Sequence, residues 1–533
     1  MSSATLSNAM SDQAKIQITK KASTQENLVK IVAVVALLVI IALPVRAEMH
    51  SALFAQDEGA LLVYPTLMMN GAVPNQNFES VYGPANYLVL GAAYETFGTT
   101  VTVERIVGLT YEFLIIGAVF VLVRRRRGFV IACFAGAIPA ILQVSIGLAA
   151  VSWMGALGVA AFALVLIDKV LRKPDWATST NHIHLVLAGI FLGLSISYRI
   201  DFGLVVSLLL AMLLVVRRQV LYWIVPGVVL GLTPQIVNMF EAGVANVIKG
   251  EVLQPIFVSE AGRRLPLLTS GSFVVFLFMA IFCTIILLAT GANAMRKGRR
   301  DWDHTFPLII GLFDLGLLPE AFERADAIHI ASTSGFILGS FFLTQLPTFH
   351  FWGSSWRLMP PVVICSVILM DLFYGSALQS DLRSTSGQAY TVSNQGRSVL
   401  VASASEQAGL QRVVHELDIK SSPGDKLFVG PSDLRRTNYN DTYLYFLFPL
   451  LKPGSFYLEM EPDVANAPNS GLAREISHCQ FLILTTLYNN WYEPNTSTVY
   501  RSSAPNTVIS KEFQLLGTWG PWSVLEKLKR YSS

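Results

Sequence analysis

Long apolar runs recur along the first 380 positions of this 533-residue chain. Most hold about 18 or more residues, enough to cross a ~30 Å hydrocarbon layer. With 53% hydrophobic and only 14% charged residues, the chain is too apolar for a soluble domain and too long for one core. The pattern predicts a polytopic α-helical membrane protein with about eleven spans. We place them at 29–46, 103–123, 128–147, 151–170, 183–198, 202–216, 219–239, 271–292, 305–319, 328–347 and 358–378. Cys133, Cys283 and Cys365 lie in these runs and Cys479 stands alone, so no disulfide framework is present.

Basic residues orient the bundle. With the Lys-rich N-terminus (Lys15, Lys20, Lys21, Lys30) inside, alternation puts four clusters inside as well. They are Arg124–Arg127, Lys169–Lys173, Arg217–Arg218 and Arg296–Arg300. All four agree with the positive-inside rule. The same alternation puts the Asp57 loop, "SYRID", "SEAGRRLP" and "ERADAIH" outside, where positive charge runs against the bias and anion binding would explain it. The expected location is the plasma (inner) membrane, multi-pass, with these loops and the tail extracytoplasmic.

Three regions follow. Residues 1–26 are polar and Ser-rich and are expected to be disordered. Residues 27–379 form the membrane domain, with a first outer loop at 48–100. Residues 380–533 form a small α/β domain outside the membrane: "GLQRVVHEL" has helical spacing, and "KLFVG", "SFYLEM" and "FLILTT" read as buried strands of a parallel sheet.

The chemistry concentrates after the first span. Asp57 and Glu58 are adjacent, so on a helix they point about 100° apart and cannot share a proton toward one site. Either one faces a reaction centre while the other pairs with a cation, or both form the acidic first turn of a surface helix. "GALLVYPTLMMNGAVP" reads as an amphipathic helix lying on the membrane, stopped at Asn70-Gly71. "NFESVYGP" is a turn-rich loop before a second interfacial helix, "ANYLVLGAAYETFG".

"QDEG", then "NGAVPNQNFESVYGP", then "YLVLGAAYETFG" resembles the first outer loop of the C-type (GT-C) superfamily of membrane glycosyltransferases. That superfamily includes protein O-mannosyltransferases, aminoarabinose transferases and bacterial polyprenyl-phosphate-sugar transferases. The likeness covers roughly the first 380 residues and is loose in the tail. It implies a general base, Asp57, activating an acceptor hydroxyl; Glu58 is the second catalytic candidate beside it. Arg199 in "SYRIDFG" either pairs with Asp201 and anchors at the interface, or holds a lipid phosphate in its guanidinium fork. In "LPEAFERADAIHI", Glu320 and Arg324 are four apart and Asp326 and His329 three apart, so helical pairing alone accounts for them. The "R-x-D-x-x-H" spacing also resembles the superfamily at the outer end of a late span, over the donor phosphate. Arg199, Arg324, His329 and Arg264 are therefore the candidate phosphate ligands, Arg263 being a weaker one beside Arg264. Glu79, Tyr82, Asp201 and Asp326 are the candidate acceptor- and sugar-binding groups.

No P-loop, HExxH or paired CxxC is present; no cofactor is expected, and a divalent metal is possible but not indicated. The tail is not notably basic, which argues against nucleic acid. The implied partners are a polyprenyl-phosphate sugar, an envelope glycan, lipid or protein acceptor, and membrane lipids. The rival reading is a transporter or flippase of lipid-linked or small polar cargo, which would place polar sites near the midplane rather than at one face.

Overall fold

The first apolar run belongs to a helix, α1 (Ser3–Met49), in a computed structural model of the chain. The structure describes residues 3–173, 176–267, 271, 273–344 and 390–529, with side chains from Thr24 onward. The expected span at 358–378, Cys365 and the 379/380 boundary lie outside the described residues. The polar stretch at 3–26, expected to be disordered, is helical; Ala, Lys and Gln there are good helix formers.

Among the described residues, seven stretches are long and apolar enough to cross a membrane, and the chain is an integral membrane protein. They are Thr24–Met49 of α1, α4 (Val101–Arg127), α6 (Ser152–Leu171), α7 (Ser179–Tyr198), Phe202–Gly231, α14 (Val274–Arg296) and α15 (Trp302–Glu323). The fifth of these doubles back. α8 (Phe202–Arg217) ends where Arg217 leaves the helical region at φ −151°, a short turn follows, and α9 (Leu221–Gly231) returns. Trp223 stacks on His182 at the start of α7, while the Ser197 hydroxyl donates to the Gly231 carbonyl at its far end. α9 thus runs parallel to α7; with α10 (Thr233–Ala242) it fills the segment read at 219–239, and the short helices α11 (Val244–Ile248) and α12 (Gln254–Phe257) follow.

The segments read as spans at 128–147 and 328–347 hold shorter helices, α5 (Phe129–Gln143) and α16 (Ala327–Ser340). After α5 the chain is irregular, because Glu104 of α4 accepts the Ala150 N–H at 2.6 Å and draws the backbone off its helical path. α6 is buried almost all round, so it is the central helix of the bundle.

α7 and α9 approach through Gly189, Gly193, Gly227 and Gly231, spaced four apart on each helix. A Cβ at Gly193 would collide with the Val228 carbonyl. Small residues at this spacing let membrane helices meet backbone to backbone. Gly193→Leu should therefore cost about 1–3 kcal/mol by overpacking, seen as a lower midpoint of thermal unfolding in detergent; an unchanged midpoint would show that the helices separate freely.

Charge sorts to the two ends. At one end Asp168 of α6 is fully buried, accepting from Arg125 and Trp302 at 2.9 Å each and pairing with Arg126, while Arg172 meets Asp303 at 3.1 Å. α4 carries Arg126 at that end and Arg105 at the other, about 30 Å away at 1.5 Å per residue. The opposite end carries α2 (Asp57–Met69) and α3 (Pro84–Phe97), which fill the first loop. α2 stops at Asn70 as expected. It does not lie on a membrane surface: Glu58 to Pro65 are all buried, because the C-terminal domain packs on it.

That domain holds a hairpin, β1 (Tyr390–Asn394) with β2 (Arg397–Val401), and a five-stranded sheet. The sheet order is β4-β3-β5-β7-β6, comprising β3 (Lys426–Pro431), β4 (Lys452–Pro453), β5 (Phe481–Thr485), β6 (Phe513–Trp519) and β7 (Trp522–Lys527). β4, β3 and β5 are parallel, whereas β7 and β6 are antiparallel, so the sheet is mixed rather than parallel. A helix, Ala404–Lys420, is capped by Ser403. "SFYLEM" (455–460) is not a strand. Met460 has φ 60° and Asp463 φ 64°, and the segment's carbonyls go to other partners: Phe456 to the Glu79 N–H, Leu458 to Asn440. This irregular path delivers Glu459 and Glu461 to the junction between the domains.

Candidate active site

α2 begins at the junction. Gly59, one turn in, lies against the Thr442–Tyr443 backbone of the C-terminal domain, where a Cβ would come 3.0 Å from the Thr442 carbonyl carbon and closer still to the Tyr443 nitrogen. The Tyr443 N–H donates to the Ala55 carbonyl at 3.4 Å, so the start of α2 is set by both domains.

Here the two adjacent acids part company. Glu58 is buried, with Arg105 Nε at 2.6 Å from Oε1 and Nη2 at 3.0 Å from Oε2, and it accepts the Phe54 N–H at 2.6 Å. Arg105 also donates to the Glu48 and Ser51 carbonyls at 2.8 and 3.1 Å, tying the end of α1 to α4. Asp57 is half-buried and has no hydrogen-bond partner among the described residues. Burial pushes its carboxyl above the ordinary aspartate range, opposed by the charges of Arg263, His329 and Arg324. One acid is locked into the scaffold. The other is left open beside cations.

Those cations are themselves held. Arg263, on α13 (Glu260–Arg263), grips Glu461 through Nε and Nη2 at 2.9 and 3.0 Å and donates from Nη1 to the Asn438 carbonyl at 2.9 Å. One N–H on each of its Nη atoms has no acceptor among the described residues. Arg264 is 67% exposed and reaches Glu260 at 3.5 Å. Arg324 does not pair with Glu320: α15 ends at Glu323, and Arg324 leaves the helix at φ −137°. It binds Asp326 at 2.8 Å and Glu493 of the C-terminal domain at 2.6 and 3.1 Å. Glu320 instead takes both ends of the Arg199 fork at 2.9 Å each, and Asp201 takes Arg199 Nε at 3.2 Å. Arg199 also lies over the rings of Trp153 and Tyr82, at 5.2 and 5.5 Å.

Asp326 caps α16, accepting from the His329 N–H at 2.9 Å and meeting His329 Nδ1 at 2.8 Å. Burial works against its ionised form, but His329 and Arg324 outweigh burial and hold it at about 2. His329 Nε2 stands 3.8 Å from Glu320. Glu79 is buried, and neither carboxyl oxygen has a hydrogen-bond partner among the described residues. Burial, then the neighbouring Glu461 and Glu459, push it well above the usual carboxylate range. Glu459 is raised likewise, by burial and Glu461. Burial also raises the Tyr82 phenol.

The structure thus gathers Asp57, Glu79, Arg263, Arg324 and His329 around one junction, and chains Arg199, Tyr82 and Asp201 to it through Glu320. Arg105, Glu459, Glu461, Glu493 and Tyr439 were missed. The signal for Arg105 was present: a Glu-Arg pair in the first turn of an apolar span, where ionisable groups are costly. Glu459 and Glu461 were hidden inside a stretch read as a strand. Among the described residues, no set of three or more His, Cys, Asp or Glu is placed to hold a metal ion.

No family model and no curated protein matches the sequence. Solved structures do match the fold. ArnT from Cupriavidus metallidurans bound to undecaprenyl phosphate is 15% identical, with a TM-score of 0.54 over 94% of this chain and 98% of its own. The same protein in the apo state gives 14% identity and 0.53, over 95% of this chain and 98% of its own. The Archaeoglobus fulgidus oligosaccharyltransferase in the apo form gives 10% identity and 0.50, over 95% of this chain and 74% of its own. Helices and the C-terminal sheet are both included in alignments this long, so the chain has the GT-C fold of membrane glycosyltransferases.

Proposed function

We propose that this chain is an inverting glycosyltransferase that moves a sugar from a polyprenyl-phosphate donor to an acceptor hydroxyl at the extracytoplasmic face of the membrane. The observation that carries the reading is Asp57, an unpartnered carboxylate at a domain junction with Arg263, His329 and Arg324 about it. Its neighbour Glu58 serves the scaffold through Arg105. The GT-C fold supports the reaction class, and the undecaprenyl phosphate bound by ArnT supports a lipid-phosphate donor.

Asp57 takes the proton from the acceptor hydroxyl. The oxygen then attacks the anomeric carbon in line as the carbon–phosphate oxygen bond breaks, leaving polyprenyl phosphate. One displacement inverts the anomeric centre and needs one base, because phosphate leaves without protonation. Cations around the leaving oxygens stabilise the charge that develops there. Arg263 has free N–H groups for this, and Arg264 is exposed beside it. Arg199 is already gripped by Glu320 and acts at one remove, fixing α7 against α15. Glu79, buried and unpartnered among the described residues, is placed to hydrogen-bond a sugar or acceptor hydroxyl.

The test is transfer by the purified protein from a panel of polyprenyl-phosphate sugars, with the product anomer read by NMR; retention of configuration would exclude single displacement. The pH profile adds a check. Asp57 works only when ionised and its pKa is raised by burial, so the acid limb of kcat/KM should lie above the ordinary aspartate value of about 3.9. Sidedness is tested with cysteines at Ser422 and Gly298, both in turns: a membrane-impermeant reagent added to whole cells should label the first and spare the second. The reverse result would place Asp57 on the cytoplasmic face.

A further inference from the structure

Arg324 has five N–H groups, and all five are taken. Nε donates to Asp326 at 2.8 Å, Nη1 to the Arg263 carbonyl at 2.7 Å and to Glu493 at 3.1 Å, and Nη2 to the Tyr439 hydroxyl at 2.8 Å and to Glu493 at 2.6 Å. A phosphate oxygen finds no donor left on this guanidinium. The group in the fork is a carboxylate, whose two oxygens present the geometry that a phosphate presents to an arginine.

Glu493 is set up for this position. Its oxygens also accept from the Tyr439 hydroxyl at 2.8 Å, the Asn495 amide at 2.9 Å and the Trp491 indole at 3.2 Å. It sits on a strap, residues 486–498, that leaves the sheet after β5 and is pinned at both ends to its own domain. Tyr488 donates to Asp441 at 2.8 Å, and Thr496 to Asp463 at 2.6 Å. Between the pins, Asn495 reaches the Arg264 carbonyl at 3.3 Å, and Glu493 is the one strap carboxylate that meets the membrane domain. Leu487, Trp491 and Tyr492 are exposed on the same strap, 43%, 51% and 65% open, so the strap's own side chains contribute little burial to hold it down. Contact with the membrane domain comes from the Glu493–Arg324 pair, the Asn495–Arg264 bond and the packing of the 496–498 turn on α13, and the ion pair is its charged element.

We propose that Glu493 is an internal occupant of the donor-phosphate site, exchanging with the phosphate of an incoming lipid at Arg324 and lifting the strap as it leaves. This rests on the reading of Arg324 as a phosphate ligand. Without phosphate, Glu493 gives both Nη atoms of Arg324 an acceptor, Asp326 holding only Nε, at a site where only 14% of the arginine side chain is exposed. With phosphate bound, the carboxylate is released to water beside exposed aromatics. Entry then selects for a ligand charged enough to displace a carboxylate, which a neutral polyprenol is not.

The test compares the full-length wild type with Glu493→Gln in detergent, measuring binding of sugar-free polyprenyl phosphate, inorganic phosphate and polyprenol. Glutamine keeps the shape and most hydrogen bonds but removes the competing charge, so polyprenyl phosphate should bind about tenfold tighter or more, since charge-assisted bonds are roughly twice as strong as neutral ones. Polyprenol should be unaffected. Inorganic phosphate should show the same direction of change if the headgroup alone drives exchange; tightening confined to the lipid form would assign the site to a tethered phosphate. Hydrogen exchange of amides 487–495 should rise in the wild type on adding polyprenyl phosphate and be high from the start in the variant. Equal or weaker binding by Glu493→Gln, with wild-type binding intact, overturns the exchange and leaves the proposed function standing. Absence of binding in both proteins overturns both.

Discussion

Asp57→Asn should lower turnover by about 10²–10⁴-fold, the usual contribution of a general base, while leaving polyprenyl-phosphate binding unchanged. Asparagine keeps the size and loses the proton-accepting power. Nothing in the scaffold is lost with it, because the Asp57 carboxylate makes no hydrogen bond among the described residues. A gain in stability should accompany the loss of activity. A carboxyl whose folded-state pKa is raised stabilises the fold below its unfolded pKa, and that contribution disappears as pH rises through the folded value. At neutral pH the ionised form is therefore a cost that Asn removes, and thermal unfolding should shift upward. A variant that keeps most of its activity would exclude Asp57 as the base; one that loses activity together with stability would point to a structural role.

Arg105→Met should have the larger effect on folding. Arg105 and Glu58 are 2% and 3% exposed, and removing one member of a buried pair strands the other. Such losses run to about 3–5 kcal/mol, and Glu104, also buried, sits on the same turn. Arg105 further holds the Glu48 and Ser51 carbonyls, so the connection from α1 to α2 should loosen and Asp57 should lose its place. The double variant Arg105→Met with Glu58→Leu removes both charges and should recover part of the stability, which a denaturation series would show. Failure of the double variant to recover anything would mean that the carbonyl bonds, not the ion pair, dominate.

The helical pattern was legible because membrane crossing forces long apolar runs, and each run from α4 to α15 falls where its hydropathy put it. The Asp57 motif was legible too, since its turn residues specify a local structure that ends at Asn70. Pairings between distant charges were not. Spacing suggested Glu320 with Arg324, yet one turn of φ at the end of α15 sends Arg324 to the C-terminal domain and leaves Glu320 to Arg199, 121 positions earlier. Alternating apolar residues at 455–460 imitate a strand, and only the left-handed backbone at Met460 shows otherwise. Local rules see neither, because both are decided by the meeting of two domains.

That meeting has a consequence for how the protein matures. Because Gly59 beds on Tyr443, and Glu461 secures Arg263, the Asp57 carboxylate near the start of the chain is seated by segments almost 400 residues later. A ribosome finishes every membrane helix described here before it makes them. On the proposed function, the nascent protein would be inert while it is being threaded into the bilayer, and its reaction centre would form only when the C-terminal domain has folded against the bundle.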